Sequence, residues 1–219
     1  MEKGFIREKS LDRVRYLNDT YTDEVQLLTY VNQLNLIFET IKMYDFNKNI
    51  NILEIGIGNG FIANALRTYD INITTFDINP RLNPDYVGNI LELTDIIKNK
   101  KFDLIICFEV LEHMPFENFE DALIQIKQVS SKVLLSLPQI KRHYGFYGLL
   151  KLPKKTFHLK FGINIGFKKL PNEHFWELNS HNNTRREKIK DIINKYFLIK
   201  KFGKFFFNNY HNYYILDVK

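Results

Sequence analysis

Three groups of residues in this sequence combine types and spacings that could do chemistry, and the first is a glycine-rich loop. It runs Glu54-Ile55-Gly56-Ile57-Gly58-Asn59-Gly60, a G-x-G-x-G pattern with an acid two residues before the first glycine. Glycines let the backbone approach a ligand closely, and a helix beginning there offers free N–H donors. A dinucleotide-binding loop would need its third glycine where this chain has Phe61. Since Glu54 would repel a pyrophosphate, the loop predicts a ligand with a cationic amine.

The second group is Asp77, at the end of the next predicted strand. It follows Glu54 by 23 residues, close to the ~20-residue offset at which an acid reaches ribose hydroxyls in βαβ nucleotide sites. Alternatively, Asp77 starts a turn at Asn79-Pro80. Taken together with the glycine loop, ribose binding is the favoured interpretation.

The third group is Glu109-Val110-Leu111-Glu112-His113. On a helical turn, Glu109, Glu112 and His113 would share one face. Either Glu112 and His113 form a structural hydrogen-bonded pair, or His113 is a general base beside the two carboxylates, or all three are ligands of a divalent metal. We favour the structural interpretation over the base, and the base over the metal.

A basic and aromatic segment spans residues 139–178. Between Gln139 and Asn172 it has eight Lys or Arg and no Asp or Glu, so this stretch carries +8 and the rest of the chain −2. Such a field attracts an anionic partner, and cations among aromatic rings suit an acceptor with both a phosphate and a ring. Single-stranded nucleic acid, an anionic membrane surface and a merely solvated loop are the alternatives. We favour an acceptor-binding insertion.

The segment closes on Pro171-Asn172-Glu173-His174-Phe175-Trp176-Glu177-Leu178, which contains the only tryptophan. His174 is a candidate base for the acceptor, or a fourth ligand if Glu109, Glu112 and His113 hold a metal. A lone histidine among aromatic rings is more often structural, and that interpretation stays open.

The elements that would position these residues alternate between strands and helices. Apolar runs predict strands at 50–55, 71–76, 86–87, 102–108 and 132–137, and amphipathic spacing predicts helices at 60–69, 91–98, 116–129 and 184–196. Alternation of this kind predicts an α/β fold with a parallel sheet covered on both faces. Residues 1–48 form an N-terminal helical cap, and two aromatic runs at 198–207 and 210–218 form an antiparallel hairpin around Asn208-Asn209.

Composition limits the class of protein. With 219 residues, 45% hydrophobic and 26% charged, the chain is expected to be one globular domain, 1–219. A single cysteine, Cys107, excludes an internal disulfide framework. No apolar run approaches the ~18 residues of a membrane span, and the first residues have no apolar signal-peptide core. We therefore expect a cytoplasmic protein.

Several ordered motifs carry a family resemblance. The runs LEIGIGNG (53–60), FDINP (76–80), FDLIICFEVLEHM (102–114) and SLPQ (136–139) resemble the class I S-adenosylmethionine-dependent methyltransferases. The VLEH run is similar to the branch that contains ubiquinone-biosynthesis O-methyltransferases and many small-molecule and sugar methyltransferases. The resemblance implies a Rossmann-like fold with a mostly parallel seven-stranded sheet, a C-terminal antiparallel hairpin and S-adenosylmethionine as cofactor.

The resemblance also implies a role for each matching residue. Glu54 would face the methionine end of the cofactor, with the backbone of Gly56 and Gly58 beneath it. Asp77 would hold the ribose. The adenine would contact Ile78, Asn89 and Ile90, and the backbone carbonyl of Cys107 would accept from the cofactor's ammonium.

For the acceptor, the predicted function is methylation of a hydroxyl on a sugar or on a phosphorylated, nucleotide-linked intermediate of surface-glycan biosynthesis. The HFWE run (174–177) resembles the HYWE-type stretch of methyltransferases encoded among polysaccharide genes. His113 and His174 are the candidate bases, with Glu109 beside them, and a divalent metal is possible but not favoured. The alternatives are a metal-assisted RNA 2′-O-methyltransferase and a non-catalytic cofactor-binding module. The sequence does not indicate which oligomeric state the protein has.

Overall fold

A computed structural model describes residues 8–9, 22–47, 49–98, 100–205 and 208–219. Its strands are β1 (Asn51–Ile55), β2 (Asn72–Asp77), β3 (Tyr86–Val87), β4 (Leu104–Phe108), β5 (Lys132–Pro138), β6 (Lys141–Leu152), β7 (Lys155–Phe167), β8 (Phe197–Lys204) and β9 (His211–Val218). Seven of them form one sheet in the order β3-β2-β1-β4-β5-β9-β8. β3, β2, β1, β4 and β5 are parallel neighbours, whereas β9 is antiparallel to both β5 and β8. This is the predicted Rossmann-like methyltransferase topology, including its C-terminal hairpin.

Five α-helices accompany the described strands. They are α1 (Glu24–Met43), α2 (Phe61–Arg67), α3 (Leu93–Ile96), α4 (Phe119–Val129) and α5 (Arg186–Tyr196). Asp23 caps α1 by accepting from the backbone N–H of Gln26 at 2.7 Å. In the described part of the chain, no helix combines the length and apolarity needed to cross a membrane.

The central strands are apolar on both sides because helices cover both faces of the sheet. Alternate residues of β1 and β4 point to opposite faces. Ile52 and Leu104 pack with α1 and α2 in one buried cluster. Leu53 and Ile105 pack with α4 and α5 in the other. Each strand therefore reads as a continuous apolar run, as expected of a doubly covered parallel sheet.

Differences from the predicted elements lie mainly at their ends. The helix predicted at 91–98 is a 3₁₀ turn (Ile90–Glu92) followed by the short α3, and the helix predicted at 116–129 begins with a 3₁₀ turn (Phe116–Asn118). The described part of the predicted 1–48 cap is mostly α1. Predictions for residues 1–7, 10–21 and 206–207 lie outside the described residues.

The basic segment is more regular than its sequence indicated. β6 and β7 form a separate two-stranded antiparallel sheet, closed by a turn at Pro153-Lys154. We call these two strands the β6–β7 ribbon. Just outside it, an isolated bridge between Gln139 and Leu178 ties the ends of the segment together.

Candidate active site

The glycine loop turns sharply between β1 and α2. Gly56 has φ +83°, and a Cβ built there would lie 2.4 Å from Cγ2 of Val110, which follows β4. Its backbone N–H donates to the carbonyl of Phe76 at 2.8 Å, which ties the loop to β2. Both the left-handed conformation and the close approach of Val110 require glycine at this position.

Glu54 lies at the bottom of this loop and is 5% exposed. Its Oε2 is buried without a hydrogen-bond partner. Burial, with a smaller contribution from the charge of Asp77, raises the pKa of Glu54 to about 8. A buried acid in this state is suited to receive a cationic donor, because the donor would stabilise the ionised form.

Asp77 is already partly used by the protein itself. Its Oδ2 accepts from the backbone N–H of Ile57 at 2.9 Å, and its Oδ1 accepts from that of Asn79 at 2.8 Å. The turn-forming and ligand-binding interpretations are thus compatible, since each carboxylate oxygen can accept more than one hydrogen bond. By binding Ile57, Asp77 also fixes the glycine loop beside the end of β2.

One cavity of about 620 Å³ runs along the carboxyl edge of the sheet. Its lining includes seven of the eight predicted cofactor-binding residues, namely Glu54, Gly56, Gly58, Asp77, Ile78, Asn89 and Ile90. From α1, Tyr30 also lines it, stacking on Phe61 with ring centroids 4.9 Å apart. This volume is typical of a small-molecule or cofactor pocket.

Asn89, a predicted adenine contact, and Cys107, the predicted ammonium contact, differ in their relation to the cavity. Asn89 Oδ1 accepts from the backbone N–H of Leu91 at 3.1 Å, so this side chain caps a 3₁₀ turn as well as lining the cavity. Cys107 is fully buried, and the residues of β4 that line the cavity are Ile106 and Phe108. The role of the Cys107 carbonyl stays a prediction.

Glu109 is directed away from the expected shared face. It has φ +56°, and its Oε2 pairs with Nδ1 of His211 at 2.5 Å while Ser136 donates to its Oε1 at 2.6 Å. Burial alone would raise the pKa of Glu109, but the pair with His211 and the hydrogen bonds hold it below its usual range. The expected single helical turn with three aligned side chains is not formed, because only Leu111–His113 make a 3₁₀ turn.

Glu112 is fully buried, and neither of its carboxylate oxygens has a hydrogen-bond partner. Burial first, and then the charges of Glu109 and Glu177, raise the pKa of Glu112 well above its usual range. Isolated buried carboxylates are costly and are ordinarily paired with a cation. Glu112 is therefore the residue of the site that most needs a partner.

Two histidines complete a cluster around Glu112. The rings of His113 and His174 are perpendicular, with centroids 4.8 Å apart. One ligand atom from each of Glu112, His113 and His174 lies within 4.8 Å of the others. His174, not Glu109, is thus the third member of the group that could hold a metal.

The hydrogen bonds of the histidines define their tautomers. Nδ1 of His113 lies 3.2 Å from the carbonyl of Glu173, and Nδ1 of His174 lies 2.9 Å from Oε1 of Glu177. Both partners are acceptors, so in the neutral form of either ring Nδ1 carries the proton and Nε2 keeps its lone pair. Histidines that bind metals are oriented in this way. Burial, and next His174, lower the pKa of His113 to about 4, so its ring is neutral at pH 7.

Sequence reasoning missed three residues that line this site or support it. Tyr210 and His211 line the cavity, and Tyr210 donates to Glu177, which holds His174. A signal for His211 existed: in an antiparallel pairing with β5, the start of β9 must lie beside the end of β5, and Pro138 indeed pairs with His211. Glu177 lay within the HFWE run, but its contact with Tyr210 depends on tertiary structure.

Of the described cationic side chains in the basic segment, Lys168 is the one that lines the cavity. Its Nζ lies over the ring of Tyr210, 4.1 Å from the centroid, and burial lowers its pKa. Among the side chains of the β6–β7 ribbon that the structure describes, which exclude those of residues 143, 158 and 160, none contributes to the lining. The residues that follow the ribbon, among them Pro171, Glu173 and His174, form this wall instead.

Comparison with protein families and curated proteins identifies relatives. Residues 30–182 match the family model described as a methyltransferase domain. A ubiquinone biosynthesis O-methyltransferase of Rickettsia bellii is 27% identical over 125 residues, covering 50% of this chain and 50% of that protein. Its namesake from Rickettsia typhi is 27% identical over 179 residues, covering 69% and 72%. This chain thus spans about half the length of the first relative.

Solved structures resemble the whole fold. The N-methyltransferase NodS from Bradyrhizobium japonicum WM9, in complex with S-adenosyl-L-homocysteine, superposes with a TM-score of 0.59 at 14% identity, covering 98% of this chain and 96% of that one. At this identity the likeness establishes a common fold.

Proposed function

The chain belongs to the methyltransferase domain family whose model it matches, and from this premise we propose that it transfers the methyl group of S-adenosylmethionine to a hydroxyl of a small acceptor. One observation carries the proposal. A single cavity joins the glycine loop, Glu54 and Asp77 to the cluster of Glu112, His113 and His174. The proposed cofactor end and the proposed chemistry end therefore share one cavity.

The residues at the cofactor end fit S-adenosylmethionine. The unpartnered Oε2 of Glu54 matches the cationic amine of its methionine part. Asp77, at the end of β2, matches the ribose hydroxyls. Ile78 and Ile90 provide apolar surface for the adenine ring, and Asn89 offers an amide beside it. When bound, the cofactor supplies an electrophilic methyl group, and the protein supplies its position.

At the other end, we propose that Glu112, His113 and His174 hold a divalent cation. The buried oxygens of Glu112 have no other partner, and both histidines have Nε2 available. A carboxylate and two imidazoles form a donor set that suits first-row transition metals. A cation bound there would lower the pKa of an acceptor hydroxyl. The sequence alone favoured a structural role or a general base over a metal. The geometry of the site instead supports a metal, with His174 in the cluster in place of Glu109.

The acceptor is proposed to carry an anionic group. Lys168 is a cation at the cavity wall, 4.1 Å above the ring of Tyr210, so a phosphate or carboxylate could contact it. The names of the relatives, ubiquinone biosynthesis O-methyltransferases, support an oxygen as the methylated atom. A sugar phosphate of glycan assembly and an acidic phenol both satisfy these requirements.

The test is transfer of a labelled methyl group from S-adenosylmethionine to a panel of acceptors. The panel contains a nucleotide-linked sugar, a sugar phosphate, a phenolic acid and its uncharged phenol, each with added Mg²⁺ or Mn²⁺ and with EDTA. Lys168→Gln serves as the variant that should raise KM for charged acceptors only. Turnover of no acceptor, with S-adenosylhomocysteine still bound, would favour the non-catalytic binding module.

A second candidate, metal-assisted 2′-O-methylation of RNA, is favoured by the Glu112–His113–His174 cluster alone, since a cation there could activate a ribose hydroxyl. A short single-stranded RNA therefore belongs in the panel. This candidate would be supported if the protein methylates the RNA and its KM for RNA rises steeply with salt concentration. Equal activity toward a free nucleoside would contradict it.

A further inference from the structure

The β6–β7 ribbon has one face made almost entirely of large apolar side chains. Directly paired residues of an antiparallel ribbon point to the same face. The register pairs Phe146 with Phe161 and Leu150 with Phe157, and it places Leu159 and Ile163 on the same side. We call these six residues the apolar ribbon face. Their exposed fractions range from 42% for Ile163 to 65% for Leu159.

The opposite face of the ribbon has a different composition. It carries the pairs Gly145–Gly162 and Lys151–Thr156, with Leu149 as an isolated large aliphatic residue. The ribbon is therefore amphipathic across its two faces, over a length of about 35–40 Å at ~3.3 Å per residue. An apolar surface of this extent on a soluble chain indicates a binding surface.

Charge identifies the kind of partner. The segment 139–172 has eight cations and no acid, and Lys151, Lys154 and Lys155 gather at the tip of the ribbon beside the apolar face. Of these lysines, Lys155 lies on the side of the apolar face and Lys151 on the opposite side, so the charge surrounds the tip. A partner must thus offer an apolar interior beneath an anionic surface. A second copy of this chain would bring two such positive segments together, which their mutual repulsion disfavours.

We propose that the apolar ribbon face docks on an anionic lipid bilayer. The side chains of Phe146, Leu150 and Phe161 would enter the boundary between headgroups and acyl chains, while the lysines at the tip contact lipid phosphates. Neither outer edge of the ribbon has a neighbouring strand among the described residues. The ribbon therefore lies in the plane of the interface, where water reaches those edges, and does not cross the hydrocarbon. This proposal is independent of the reaction catalysed.

Two neighbouring leucines provide a matched pair of variants. Leu149 and Leu150 are 54% and 60% exposed and lie on opposite faces. The full-length protein is floated with phosphatidylcholine vesicles containing about 30% phosphatidylglycerol at about 150 mM salt. Leu150→Thr should lower the partition coefficient about fivefold, and Leu149→Thr less than about twofold.

Two further variants separate apolar from electrostatic binding. In the first, a double variant, both members of a cross-strand pair are replaced, Phe146→Thr and Phe161→Thr. It should lower vesicle binding more than about tenfold. Lys154→Gln with Lys155→Gln should lower binding to the anionic vesicles about tenfold and leave the weak binding to pure phosphatidylcholine unchanged. Thermal melting of each variant verifies that the domain is folded.

Three results would overturn the proposal. The first is no flotation of the wild-type protein with anionic vesicles. The second is equal loss of binding in Leu149→Thr and Leu150→Thr, which would mean that the faces do not differ. The third is a wild-type dimer, seen by sedimentation equilibrium, that Leu150→Thr dissociates, because a second copy would then cover the apolar ribbon face.

Discussion

At the residue scale, the ligand-binding role that we propose for Glu54 comes with a cost to the ligand-free protein. Its pKa is raised from 4.5 to about 8 by burial. Between these two pH values the unfolded chain ionises Glu54 while the folded protein keeps it protonated, so stability falls as pH rises through this window. Ligand-free Glu54→Gln should therefore melt at a higher temperature than the wild type at pH 7, with the difference vanishing below about pH 4.5.

The same substitution should remove cofactor binding. S-adenosylhomocysteine at about 100 times its Kd should stabilise the wild type by about 2.7 kcal/mol, or roughly 5–10 °C, and Glu54→Gln should lose this shift because its amide is uncharged. Glu117→Gln, at an exposed acid, is the matched control. A Glu54→Gln protein with the wild-type ligand shift would contradict the assignment of Glu54.

Glu112 gives the test for a metal. Added Mn²⁺ should raise the melting temperature of the wild type and EDTA should lower it, because the cation that we propose would pair the buried oxygens of Glu112. Glu112→Gln should respond to neither, while Glu117→Gln should respond as the wild type does. Identical melting of the wild type with Mn²⁺ and with EDTA would exclude a structural role for a cation at this cluster.

Residues of the candidate site differ in how far sequence could predict their location. Glu54, Gly56 and Asp77 are fixed by two adjacent strand ends, so a local motif was sufficient to place them at the cavity. The meeting of His113 with His174 joins positions 61 residues apart. That contact depends on how the chain returns from the β6–β7 ribbon, which no local pattern encodes. Predicting Glu109 in the same cluster assumed a helical turn, and its positive φ prevents this.

At the scale of elements, the pair of Glu109 and His211 joins the end of β4 to the start of β9. Loss of His211 leaves the partly buried carboxylate of Glu109 without its cationic partner and with only the Ser136 hydroxyl as donor, so His211→Ala should destabilise the protein by about 3 kcal/mol at pH 7. The pKa of Glu109 is lowered in the folded state. Its contribution is therefore present above the ordinary carboxyl pKa and is lost as pH falls through the lowered value.

Denaturant unfolding measures this effect. The difference between the wild type and His211→Ala should shrink as the pH is lowered from 7 through the lowered pKa of Glu109, because the carboxyl group then becomes protonated in both proteins. His181→Ala, at an exposed histidine, is the control and should change stability little at either pH. If His211→Ala lowers the free energy of unfolding equally at both pH values, the effect arises from packing instead.

Elements were predicted well where hydrophobic periodicity was strong. The apolar runs of β1, β4 and β5 identified the parallel half of the sheet, and Asn208-Asn209 identified the final hairpin. β6 and β7 were not predicted, since glycines at 145, 148, 162 and 166 and many lysines interrupt their alternation. Their regular pairing emerges only when the two strands are aligned across the turn.

At the scale of the whole molecule, we expect the β6–β7 ribbon to be separable from the rest of the chain. Its strands pair with each other and lie outside the seven-stranded sheet. Replacing residues 142–166 by Asn-Gly, a two-residue hairpin turn, should leave the melting temperature within about 2 °C and retain the shift with S-adenosylhomocysteine. Vesicle flotation should be lost. A collapse of cofactor binding in the shortened protein would show instead that the ribbon supports the site.

The late position of β9 in the chain has a consequence for biosynthesis. β9 lies between β5 and β8, and 72 residues separate the end of β5 from its first residue. At about 5–20 residues per second, the ribosome needs several seconds to add them. Throughout this interval the nascent chain has an open β5 edge and a Glu109 without His211. Chaperones that shield open sheet edges would act in this interval, because translation must complete β9 before the part of the cavity lined by His211 can assemble.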